Sequence, residues 1–245
     1  MHSSTRNGFF PRFTLALATA ALVGALGAAC GDDPAGPLPF EKAAYVRSEA
    51  GGAPWSQTTN EDAMDQAFGA GEWDDLRFET ADLDSLFSLY TFLFLEGSDD
   101  GADDMESFIA ANQTALEAFV QGGGRVLINS APNEGNGMSF GFDVDMVDVS
   151  NIGSVVAANP AHAIFVDSTA FRGSSFAHAI VVGTNLTPIL LKAGTADTLV
   201  LATKTVGRGR ALFGAMTTDN FHAPQPEAHD LRINILRYAA GVPLP

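Results

Sequence analysis

Three apolar runs in this chain each end in side chains that can donate or accept hydrogen bonds or move protons. Residues 90–95 lead into Glu96-Gly97-Ser98, residues 125–128 into Asn129-Ser130, and residues 210–216 into Thr217-Thr218-Asp219-Asn220-Phe221-His222. If the runs are strands of one open α/β sheet, their carboxyl ends share a rim, and ligands of such sheets bind outside that rim. Glu96, Ser98, Asn129, Ser130, Thr217, Thr218, Asn220 and His222 are then the expected ligand-binding set. Hydroxyls, amides, one carboxylate and one imidazole suit a sugar or an amide and suit an apolar ligand poorly. Catalysis on this rim would rest on His222 with Ser130 or Glu96, since a serine nucleophile needs a base within hydrogen-bond reach. The competing reading is that these residues only cap loops and helix starts, as Ser, Thr and Asn commonly do.

Other clusters carry less. Glu96, Asp99, Asp100, Asp103 and Asp104 supply oxygens for a hard cation, but their spacing fits no EF-hand loop. Acids at a helix start are already explained by the positive end of the helix dipole. Gly122-Gly123-Gly124 follows a helix, whereas a dinucleotide fingerprint follows a strand and opens a helix. No metal and no cofactor are therefore expected. His178 reads as a half-buried strand residue, His162 as a turn residue beside Pro160, and His229 as a solvent-facing residue of the last helix.

The elements that would position the rim follow from periodicity and punctuation. Strands are expected at residues 43–48, 75–80, 90–95 and 125–128, with helices opening at Asn60, at Ala81 and near Asp103. The continuously apolar run at 90–95 is what a strand buried on both faces looks like. The helix between it and residues 125–128 implies a parallel crossover. Residues 132–160 read as small strands or a lid, with a turn into a short helix at Asn159-Pro160. Further strands are expected at 174–182, 188–192, 198–205 and 210–216, the last two forming a hairpin across Val206-Gly207-Arg208-Gly209. A helix from Pro226 to Ala240 closes the chain. The expected fold is α/β, a three-layer sandwich with a mostly parallel central sheet and one antiparallel hairpin near the C-terminus.

Bulk properties bound the partners. A chain of 245 residues, 46% of them apolar, suffices for one well-filled core. The first 29 residues hold Arg6 and Arg12 ahead of an apolar stretch rich in Ala, Leu and Gly, and read as a signal peptide. Without them, 11 basic residues face 29 acidic ones, a net charge of −18, so nucleic-acid binding is disfavoured. Leu26-Gly27-Ala28-Ala29-Cys30 resembles a bacterial lipobox, with Gly27 where an aliphatic residue is usual. Cys30 is the only cysteine, which removes disulfides and thiol catalysis from the domain. The expected organisation is residues 1–29 as signal peptide, 30–40 as lipidated cysteine and flexible tether, and 41–245 as the α/β domain. The membrane would then be a partner through a lipid anchor at Cys30, and the domain would sit in the bacterial cell envelope.

Three stretches together resemble the class I glutamine-amidotransferase-like fold, in its ThuA-like version without amidotransferase activity. They are the apolar run at 90–95, the passage from Ala118 through Gln121-Gly122-Gly123-Gly124-Arg125 to Ile128, and Gly207-Arg208-Gly209-Arg210-Ala211-Leu212-Phe213-Gly214. The ending Asn234-Ile235-Leu236-Arg237-Tyr238-Ala239-Ala240-Gly241 fits the same pattern. The resemblance puts Asn129 at the position of the family's nucleophilic cysteine. It spaces His222 and Glu227 five residues apart, where the family has its His and Glu two apart. It thus implies the scaffold without glutaminase chemistry. The leading expectation is a non-catalytic envelope lipoprotein that binds a polar small molecule, a glycan or a protein partner. The alternatives are a hydrolase or lyase acting on a sugar or amide, and an assembly protein with no small-molecule site.

Overall fold

A computed structural model describes residues 36–133 and 137–245. Its first half alternates strand and helix: β1 (Ala43–Arg47), α1 (Thr59–Phe68), β2 (Trp73–Arg77), α2 (Leu83–Leu89), β3 (Phe92–Glu96), α3 (Ala102–Gln121) and β4 (Arg125–Asn129). These strands pair in parallel in the order β2-β1-β3-β4, and β10 (Gly209–Gly214) adds to β4, also in parallel. Successive side chains of a strand point to opposite faces, and here both faces are covered. Tyr45, Phe92, Phe94, Leu127 and Leu212 pack toward α1 and the closing helix α4 (Glu227–Ala240). Val46, Leu93, Leu95, Val126, Ile128 and Phe213 pack toward α2 and α3. That is why β3 reads as an unbroken apolar run: Phe92 to Leu95 are all 0% exposed, each stabilising the fold by about 1.5–3 kcal/mol.

The second half corrects the expected fold class. It contains β5 (Met138–Gly141), β6 (Val144–Ala157), β7 (Ala170–Gly183), β8 (Thr187–Lys192), β9 (Leu199–Val206) and β11 (His222–Ala223). Seven strand pairings are antiparallel against four parallel. The path β7-β6-β8-β9 closes on itself where Val181 of β7 pairs with Leu199 of β9, making a small antiparallel barrel. The protein is thus a mixed, mostly antiparallel structure with four α-helices among its described residues, rather than a three-layer sandwich on a mostly parallel sheet. The physical reason lies in the connections. The links β5–β6, β8–β9 and β9–β10 are a few residues long, and a parallel crossover needs a dozen or more, so each of these chain reversals yields an antiparallel pair.

Smaller expectations also change. Residues 138–157 form two strands, β6 being 14 residues long, and the turn at Asn159 does not continue into a helix. The spacing of Asp103 and Glu106 suggests a capping box, yet the N-cap of α3 is Gly101, with no side-chain cap. The signal segment and the lipidation site Cys30 lie outside the described residues. Among those residues no helix is long and apolar enough to cross a membrane.

Candidate functional site

The carboxyl ends of β3, β4 and β10 do share a rim, but most of the expected site residues lie beneath it. Glu96 (2% exposed), Ser98 (3%) and Asn129 (0%) form one closed network. The Asn129 amide donates to both Glu96 oxygens at 3.1 and 3.3 Å and to the Met216 carbonyl at 2.9 Å, while its oxygen accepts from the Met216 amide at 3.1 Å. A buried side chain that satisfies both polar groups of a passing backbone acts as a clamp on that backbone, here on the exit of β10. Gly214 makes room for it, since a Cβ there would lie 2.6 Å from Asn129 Oδ1. Glu96 also accepts from the Ser98 amide at 2.8 Å and from Asn60 of α1 at 3.2 Å. Burial raises the pKa of Glu96, opposed by the charge of Arg232 and by hydrogen bonds from Ser98 and Asn129. Ser130 donates its hydroxyl to the Gly97 carbonyl at 2.7 Å.

Thr217 and His222 make a second buried group. His222 Nε2 lies 3.1 Å from the Phe176 carbonyl and 2.9 Å from Thr217 Oγ1, and its ring stacks on Phe176 at 3.9 Å. A carbonyl only accepts, so Nε2 is assigned the proton. Burial, reinforced by the charge of Arg232, lowers the pKa of His222 to about 3. Thr218 is buried as well, whereas Asn220 is exposed. Asn129 and His222 do not touch; what joins them is the backbone at Met216 and Thr217. Ser130 makes no hydrogen bond to His222, so no serine–histidine pair is assembled, and an imidazole whose pKa burial lowers to about 3 is a poor base at neutral pH.

What reaches the surface at this rim is a set centred on Trp55 and Phe221, to which the sequence assigned no role, with His178 and Asp99 beside them. Trp55 follows β1 and is half-buried, and its amide donates to Asp99 Oδ2 at 2.7 Å. The other Asp99 oxygen accepts from Asn133 of the segment after β4. The Trp55 indole stands edge-on to Phe221 at 5.5 Å and to His178 at 5.9 Å, while His178 Nδ1 faces the Pro132 carbonyl at 2.9 Å. Trp55, Ser56 and Asp99 all adopt positive φ, of 51°, 54° and 56°. Such strained backbone persists only where its surroundings hold it, and it concentrates at functional sites. The signal available in sequence was a lone tryptophan inside Gly51-Gly52-Ala53-Pro54-Trp55, a loop with no core of its own to bury it. His229, expected to face solvent, instead contacts the buried Asp219 at 2.7 Å and Gln66 of α1 at 2.7 Å, fastening α4 to α1.

No known family profile matches the chain, and no curated protein matches it. Solved structures do. A cold-adapted β-galactosidase from a Rahnella species superposes with a TM-score of 0.52 at 14% identity, over 84% of this chain and 32% of its own. A GH42 β-galactosidase from G. stearothermophilus gives 0.51 at 12% identity, over 84% and 30%. A putative GMP synthase subunit from Thermoplasma acidophilum gives 0.54 at 9% identity, over 83% and 96%. The chain spans about a third of the β-galactosidases, and identities this low show the fold alone. The resemblance to glutamine-amidotransferase-like, ThuA-like proteins is corrected accordingly. β-Galactosidases are prominent among the structural neighbours, no family profile supports the assignment, and antiparallel pairing predominates in the sheet. Two of the motifs that carried the resemblance, a glycine-terminated helix and a Gly-Arg-Gly hairpin, are ones that many α/β folds use for helix stops and turns. Nothing in these comparisons supports a lipoprotein or a signal peptide.

Proposed function

We propose that this domain binds a saccharide or similar polyhydroxylated ligand at the rim formed by Trp55, Phe221, His178 and Asp99, without turning it over. The observation that carries the reading is Trp55, held in a strained backbone at the carboxyl ends of the parallel strands, with Asp99 beneath it. An indole offers a flat apolar surface to sugar C–H groups, and nearby carboxylate and amide groups answer the hydroxyls. The buried layer of Glu96, Ser98, Asn129 and Thr217 supports the rim rather than meeting the ligand. The β-galactosidases among the structural neighbours favour a sugar as the ligand class. Hydrolysis would need an acid and a base beside the bond to be cut, and Glu96, Ser130 and His222 are sealed in hydrogen bonds.

Tryptophan fluorescence and calorimetry against galactosides, mannosides and their oligomers test this. Saturable binding is expected, weakened at least tenfold by Trp55→Ala with little change in melting temperature. Asn129→Ala should do the opposite, lowering stability by about 1–3 kcal/mol through the stranded Met216 backbone groups and leaving affinity within a few-fold of the parent. No response to any saccharide, or equal affinity in Trp55→Ala, would reject the proposal in favour of an assembly role.

A further inference from the structure

At the other end of the same sheet face, two arginines lie side by side with no acid between them. Arg125 opens β4 and is paired in register with Arg210 of β10. Side-chain alternation puts both on the α4 side, as it does Leu127 and Leu212. Arg125 is 7% exposed, and its Nε and Nη1 are buried with no hydrogen-bond partner among the described residues. None of the ion pairs found there uses Arg125 or Arg210, although the chain holds 29 acidic residues to 13 basic ones. Arg210 lies over the Tyr238 ring at 4.4 Å and donates to the Tyr238 carbonyl at 3.2 Å, so the last turn of α4 accounts for one guanidinium and leaves the other unanswered. The helix ends directly on Arg125: a Cβ on Gly241, which sits at φ 71°, would fall 2.8 Å from Arg125 Cζ and displace the guanidinium.

We infer that Arg125 and Arg210 form a binding site for a phosphate group, beside Tyr238 and the end of α4. A buried, unpaired guanidinium beside a second one is costly, and an oxyanion answers both. A tetrahedral phosphate can accept from two forks at once, which a single carboxylate does less well. Burial and the charge of Arg210 lower the pKa of Arg125, and the same two causes lower that of His162, whose ring meets Tyr238 at 4.8 Å. Both shifts mark a locally cationic spot on an acidic protein.

Calorimetry with inorganic phosphate, and melting in phosphate against chloride at equal ionic strength, decide the matter on the full chain. Saturable binding and a melting temperature raised by several degrees in phosphate are expected. Arg210→Gln, at a half-exposed position, should weaken binding at least tenfold, and Arg210→Lys should retain part of it. Cosedimentation with phosphatidylglycerol vesicles but not with phosphatidylcholine, lost in Arg210→Gln, would assign the phosphate to a lipid headgroup. Calorimetric binding without cosedimentation would assign it to a soluble ligand. The site is refuted if phosphate and chloride give the same melting curve with no heat of binding and no vesicle retention, or if Arg210→Gln binds like the parent.

Discussion

His222 illustrates how burial decides what a side chain can do. A histidine after a hydroxyl-rich strand end has the residue types of a catalytic base, yet stacked on Phe176 and 5% exposed it is held neutral. Its folded pKa of about 3 lies below the ordinary 6.5, so the unfolded chain binds a proton that the native one refuses. Stability contributed by the neutral ring is complete above about pH 6.5 and is lost as pH falls toward 3, by up to about 1.4 kcal/mol per pH unit. Glu96 acts in the opposite sense, because its raised pKa favours the native state as the carboxyl protonates. Urea unfolding at intervals from pH 7 to pH 4 should give a shallower acid decline for His222→Asn than for the parent. An equal decline would mean that His222 is not the group that titrates on unfolding.

At the scale of elements, the loop after β1 is where local preference and tertiary demand disagree. Pro54–Ser56 forms a single 3-10 turn in which Trp55 and Ser56 both sit at positive φ, a region that disfavours side chains bearing a Cβ. The Asp99 carboxylate captures the Trp55 amide and so holds the turn against that cost. Ser56 is exposed and free to change. Ser56→Gly should raise stability by up to about 1 kcal/mol in chemical denaturation, with saccharide binding unchanged. A destabilised Ser56→Gly would place the strain elsewhere. Part of the antiparallel barrel obeys an equally local rule, a short link setting β9 beside β8, but the pairing of β8 with β6 and the closure through Val181 and Leu199 join strands that are not consecutive in the chain.

For the whole molecule, a net charge of −16 over 245 residues sets the long-range field. Such a field repels nucleic-acid backbones, so no retention on duplex DNA is expected at about 0.15 M salt, whatever the local arginines do. Retention there would overturn that reading of the charge.

Charge, the acidic surplus and the positions of most helices and strands were legible in the sequence, because composition is additive and periodicity is a local consequence of backbone geometry. The rim was legible too, since apolar runs announce strands and their polar followers announce strand ends. Depth was not. Whether Asn129 faces solvent or clamps Met216 depends on Gly214, Glu96 and β10 arriving beside it from up to 87 residues away, and no local pattern records that meeting. The same holds for Trp55 reaching Asp99, for His229 finding Asp219, and for β7 closing against β9. Tertiary structure decided these because hydrogen bonds and burial are satisfied between segments, and a strand's neighbours are chosen by the space that remains once every other face is covered.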